Sequence, residues 1–156
     1  MGPQAICTLG YEGGTLDAFI RTLRRAGVGL VLDIRAAPIS RKKGFSKNQL
    51  AAHLSEAGIG YRHLRGLGTP KRGRDAARAG DLESFERIFL DHMEEPEALL
   101  DLGEAIALAK AEPVCLLCLE RDPQRCHRLI VANRMVSQTG QELRHLFIEP
   151  ETPQHG

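Results

Sequence analysis

Short continuous apolar runs alternate along the chain with stretches in which apolar residues recur every three to four positions. Residues 5–9 form the first run and predict a buried strand. Thr15 then suits a helix N-cap, Leu16, Phe19, Ile20 and Leu23 keep the spacing of one helical face, and Gly27 ends it. Residues 28–34 are apolar except for Gly29 and Asp33 and predict a second strand, parallel to the first because a helix connects them. Ser46 is placed to cap a second helix that carries Leu50, Ala51, Leu54 and Ala57 and stops at Gly58. Residues 59–64 read as a half-polar third strand. From 65 to 80, Gly66, Gly68, Thr69-Pro70, Gly73 and Gly80 break every periodicity and predict an irregular cationic loop. Asp81 caps a helix with Leu82, Phe85, Ile88, Phe89 and Met93 on one face, and another begins at Pro96. The run from Val114 is a further buried strand. Asp122-Pro123 is a helix start, and the pattern predicts one long helix from there to about residue 138. Residues 143–148 form a last strand and 149–156 a polar tail.

This order of elements is that of one α/β domain over residues 1–156: a three-layer sandwich with a mostly parallel central sheet of about five strands and helices on both faces. In such folds ligands bind beyond the carboxyl ends of the strands. The loops at 10–14, 33–45 and 118–122 are expected to share that edge. They and the start of the following helix carry Tyr11, Glu12, Asp33, Arg35, Ser40, Lys43, Cys118, Glu120, Cys126, His127 and Arg128.

Composition adds little to this picture. The chain has 156 residues, 42% of them apolar and 26% charged, as in ordinary globular domains. No apolar run approaches the length of a membrane span and no leader pattern opens the chain, so the expected location is the cytoplasm, with no membrane partner. Charge distribution changes more. Residues 35–78 hold eleven Lys and Arg against two acids, a net of +9, while the rest of the chain carries −8. A basic middle points to a phosphate-bearing small molecule or nucleic acid as partner.

Of the four cysteines, Cys7 and Cys115 sit inside strand runs and read as buried hydrophobes. Cys126, at a helix N-terminus between Arg125 and Arg128, is a candidate low-pKa thiol. Cys118 and Cys126 are eight residues apart. That is neither the C-x-x-C of a redox pair nor the phosphate loop of Cys-dependent phosphatases. It also matches no common zinc pattern, although Cys118, Cys126 and His127 with Glu120 or Asp33 are a chemically reasonable ligand set. Adjacent Cys126 and His127 on a helix would diverge by about 100°. No metal or other cofactor is therefore expected. Residues 10–14 lack the glycine pattern of a nucleotide site.

The blocks Thr8-Leu9-Gly10-Tyr11-Glu12-Gly13, Asp33-Ile34-Arg35, Phe45-Ser46-Lys47, Tyr61-Arg62-His63-Leu64, Cys118-Leu119-Glu120 and Cys126-His127-Arg128 follow one another across nearly the whole chain. In these blocks the sequence resembles the domain of unknown function 488 family. The resemblance implies an α/β fold and a shared site at these positions, and implies no reaction. The expected function is an enzyme acting on a phosphate-bearing substrate. Cys118 or Cys126 would be the nucleophile, Glu120, His127 and Asp33 would move protons, and Arg35, Arg128, Tyr11, Ser40 and Lys43 would bind the substrate. The alternatives are a non-catalytic nucleotide or nucleic-acid binding module and a metal-binding or thiol redox protein.

Overall fold

The computed structural model describes residues 4–148 of the chain. The expected tail at 149–156 lies outside them. Five strands, β1 (Ile6–Gly10), β2 (Leu30–Asp33), β3 (Gly60–His63), β4 (Val114–Cys118) and β5 (Leu143–Leu146), form one all-parallel sheet in the order β3-β2-β4-β1-β5. Among the described residues six helices surround it: α1 (Leu16–Arg25), α2 (Lys47–Glu56), α3 (Lys71–Arg78), α4 (Leu82–His92), α5 (Pro96–Ala111) and α6 (Arg128–Thr139). Strands β1, β2 and β4 are buried throughout, which is why their sequence is apolar without alternation; β3 and β5 are the edges, β3 alternating between exposed and half-buried and β5 half-buried except at Arg144. None of the helices is long and apolar enough to cross a membrane among the described residues.

Alternate side chains of the strands feed two cores. Leu9, Val31, Cys115 and Leu117 pack with Phe19 and Leu23 of α1 and Leu50 and Leu54 of α2. Ile6, Leu32, Val114 and Leu116 pack on the other face with Phe89 of α4, Leu102 and Ala105 of α5, and Val131 and Met135 of α6. The result is the expected three-layer sandwich. It places β4 between β1 and β2. Neighbouring strands β1 and β4 are followed by helices on opposite faces, which opens a crevice at their carboxyl ends, the usual position of a ligand site in such sheets.

The fold departs from the sequence pattern at three places. The stretch expected to be an irregular loop contains a 3-10 turn, Arg65–Leu67, and helix α3. Pro70 opens α3, a 2.9 Å Lys71–Asp75 ion pair supports it, and Gly73 lets it lie close to Thr69 and Ile88. Ser46 precedes α2, but its hydroxyl bonds the backbone of Ser40 and not the helix. The long helix expected from Pro123 is two pieces. Pro123–Arg125 is one 3-10 turn, Cys126 is extended at φ −130° and ψ 147°, and α6 starts at Arg128.

Gly10 ends β1 directly opposite Cys118 of β4. A Cβ there would run into the backbone carbonyl of Glu120 and come within 2.9 Å of the Arg128 guanidinium. Neither neighbour is free to swing aside. Gly10→Ala should therefore lower stability by about 3 kcal/mol, at the upper end for an overpacked site. Urea unfolding measures this, and an unchanged midpoint would show that the crevice is looser than described.

Candidate thiol site at the carboxyl edge of the sheet

The crevice is built around a buried arginine. Arg128 is the first residue of α6, and its side chain runs under the loop that leaves β4. Nε donates to Thr8 Oγ1 (3.2 Å), Nη1 to Cys118 Sγ (3.1 Å) and to the Glu120 carbonyl, and Nη2 to the Arg121 carbonyl (3.0 Å). The Thr8 hydroxyl also hydrogen-bonds with His145 Nδ1, at 2.6 Å. Burial lowers the Arg128 pKa from its usual value, and the group stays protonated.

The loop 119–125 turns back over this guanidinium and brings Cys126 against Cys118. The two sulfurs are joined as a disulfide, with Cα atoms 7.6 Å apart. The eight-residue spacing had given no reason to pair them. The extended backbone of Cys126 is what lets them meet. It also removes the divergence expected of neighbours on a helix: His127 Nδ1 lies 3.6 Å from Cys126 Sγ. The Arg128 backbone N–H donates to the same sulfur at 3.4 Å. Glu120 Oε2 lies 3.6 Å from Cys118 Sγ. His127 Nε2 is 2.7 Å from the Ile34 carbonyl, which can only accept. The imidazole therefore carries its proton on Nε2 and turns the Nδ1 lone pair toward the sulfurs. Burial above all pulls the His127 pKa down to about 4, so the ring is neutral; burial also pushes the Glu120 carboxyl up.

A second cluster adjoins the first at the end of β2. Asp33 and Arg35 form a buried bidentate ion pair, with Nε to Oδ1 at 2.9 Å and Nη2 to Oδ2 at 2.8 Å. Arg35 Nη1 donates to the Tyr11 hydroxyl and the Phe45 carbonyl, and Tyr11 stacks on Phe45. Burial works against the Arg35 charge, but the Asp33 carboxylate outweighs it and holds the guanidinium above its usual value. Tyr61 from β3 donates to Asp33 Oδ2. The Ile34 carbonyl joins the two clusters through His127.

Of the sequence candidates, Cys118, Glu120, Cys126, His127 and Arg128 thus meet in one cluster, and Asp33, Arg35 and Tyr11 in the next. The guanidinium donors of Arg35 and Arg128 are directed at protein acceptors. Ser40 turns into its own loop, accepting from the Lys42 backbone N–H, and Lys43 is exposed on that loop. Glu12 accepts from the Arg121 N–H and so ties the first loop to the third. Cys7 and Cys115 are buried free thiols whose pKa values burial raises, as expected of inert cysteines.

The family model described as Domain of unknown function DUF488 matches residues 15–135, which include every residue of both clusters except Thr8, Tyr11 and His145. The chain belongs to the DUF488 family. Comparison with the curated proteins and with the solved structures finds no match.

In this DUF488 chain Thr8 and Tyr61 stand in the blocks that carry the family resemblance but have no individual role legible from sequence, and His145 reads as an ordinary histidine. Thr8 is a polar residue inside an apolar strand run, and that is the one local trace of its role. Tyr61 and His145 lie on the two edge strands, where a polar side chain looks solvated until the neighbouring loop is known.

Burial, and then the negative charge of Asp33, push the Tyr61 pKa well above the ordinary tyrosine value. The stability this contributes is present below about pH 10, where an unfolded tyrosine is still protonated, and is lost as pH rises above it. Between about pH 8 and pH 11 the urea midpoint of the wild type should fall more steeply than that of Tyr61→Phe, which has no phenolic proton to lose. Equal slopes would show that Asp33 does not hold the phenol in its neutral form.

Proposed function

We propose that Cys118 and Cys126 are a thiol–disulfide redox centre that responds to small hydroperoxides. The observation that carries this reading is the meeting of two sulfurs from separate elements under N–H donors of one buried arginine. In the reduced state the guanidinium and the backbone N–H of Arg128 favour thiolate on Cys118 and Cys126 respectively. Cys118 is 1% exposed and Cys126 4%, which suits a small oxidant and not a protein disulfide. The Cys118 thiolate attacks the peroxide, an S–O bond forms as the O–O bond breaks, and an alcohol leaves. Cys126 then attacks the Cys118 sulfur, and the S–O bond breaks with loss of water. Two thiols and one hydroperoxide become one disulfide, one alcohol and one water. Glu120 is the nearest carboxyl to pass the protons.

The expected phosphate chemistry through Arg35 and Arg128 fits less well, because protein groups already occupy their donors. A phosphate-bearing partner remains supported as a second reading by a different observation. Arg41 and Lys43 on the loop after β2 and Arg65 after β3 are exposed on the same edge of the sheet.

The first reading is tested by alkylation and mass spectrometry. Reduced protein should show four free thiols. One equivalent of hydrogen peroxide should leave two, with the Cys118 and Cys126 peptides linked. Cys126→Ser should instead accumulate a dimedone-trapped sulfenic acid at Cys118. Oxidation no faster than that of free cysteine would overturn the reading. For the second, binding of a phosphate-bearing ligand should weaken with salt and in the Arg41→Ala/Lys43→Ala double variant, with thiol oxidation unchanged.

A further inference from the structure

We infer that the reduced form of this centre is a binding site for a single zinc-class cation, held by Cys118 Sγ, Cys126 Sγ and His127 Nδ1. The inference rests on the proposed redox reading in one respect, that the two thiols are free in one state of the protein. The three ligand atoms lie within 4.8 Å of one another and all three residues are buried. Two thiolates and an imidazole select a soft or borderline cation over magnesium or calcium.

Three features beyond the ligand set favour a cation. The first is the imidazole. A ligating histidine usually gives its other ring N–H to a carbonyl or carboxylate, and here the Ile34 carbonyl takes the Nε2 proton and leaves Nδ1 as the free lone pair. The second is the support of the sulfurs. Each receives an N–H from Arg128, one from the side chain and one from the backbone, the kind of outer hydrogen bond that orients a metal ligand. The third is the spacing of the backbone. The Cα atoms of the pair are 7.6 Å apart, beyond the usual disulfide range of about 4.4–6.8 Å. Two sulfurs on one tetrahedral zinc, each about 2.3 Å from it, stand roughly 3.7 Å apart. The wide Cα spacing leaves room for that separation once the thiols are free. Three protein ligands leave a fourth position, and the carboxylate in contact with the set is Glu120, whose Oε2 is 3.6 Å from Cys118 Sγ.

The test uses the full chain, reduced and desalted without oxygen. Zinc is titrated against a chromophoric chelator and counted by elemental analysis; cobalt is added in parallel for its absorption spectrum. One zinc per chain is expected, with a thiolate-to-cobalt charge-transfer band. Cys126→Ser should weaken that band, and His127→Gln should lower zinc affinity by more than the roughly 10–100-fold that loss of an outer partner costs. Because either variant could fail to fold, the wild type is also measured after peroxide oxidation, which should release the zinc from an intact chain. No zinc uptake by reduced protein, equal uptake after oxidation, or a cobalt spectrum without the sulfur band would each overturn the inference. The alkylation assay separates it from the redox reading. Disulfide formation without zinc uptake removes the metal site alone, and zinc uptake by a pair that peroxide does not oxidise removes the redox centre alone.

Discussion

The placement of one positive charge governs the carboxyl edge of this sheet. Arg128 is fully buried, and among the described residues no carboxylate forms an ion pair with it. A guanidinium in that position must be satisfied by whatever oxygen and sulfur atoms the chain can bring to it. Two of its acceptors are the carbonyls of Glu120 and Arg121, which are free because the chain has just left β4. The loop therefore curls around the arginine, the helix pattern that Asp122-Pro123 starts is cut after one turn, and Cys126 is left extended beside Cys118. Gly10 follows from the same requirement, since a larger residue would occupy the place of the Glu120 carbonyl.

The neighbouring cluster solves the same problem differently. Arg35 is also buried, but Asp33 neutralises it in a bidentate pair, and Tyr61 and Tyr11 complete the hydrogen bonding. A neutralised pair has no call on a further anion. Arg128 is balanced by dipoles and sulfur, and the sulfur it reaches, at 3.1 Å, is Cys118 Sγ. This difference between two buried arginines is why the chemistry is assigned to one cluster and a structural role fits the other.

Much of this was legible along the chain. The apolar strand runs, the Thr15 and Asp81 caps and the punctuating glycines led to the three-layer parallel sheet, and the order of elements brought the right loops to one edge. What local pattern missed depends on contacts between distant segments. Helix α3 forms in a glycine-rich stretch because Gly73 permits packing on α4. Ser46 abandons its helix because Ser40 is within reach. The pairing of Cys118 with Cys126 is invisible in their spacing because Arg128, an ordinary charged residue in sequence, shapes the intervening loop. Buried arginines read as surface charges until their acceptors are known, and so Arg35 and Arg128 were expected to meet a ligand.

Burial alone does not explain why two cysteines of four are singled out. Cys115 and Cys118 belong to the same strand and are equally buried. Cys115 points into the apolar core over α1 and α2, where loss of water opposes the thiolate and raises its pKa. Cys118, three residues on, ends the strand where its sulfur meets a guanidinium, a carboxylate and a second sulfur. Cys7 pairs in register with Cys115 across β1 and β4 and shares its environment. The sheet thus holds the two free thiols of the core three residues back from the strand end where Cys118 meets Cys126. The dividing line is where regular hydrogen bonding of the strand gives way to backbone carbonyls that a buried cation can claim.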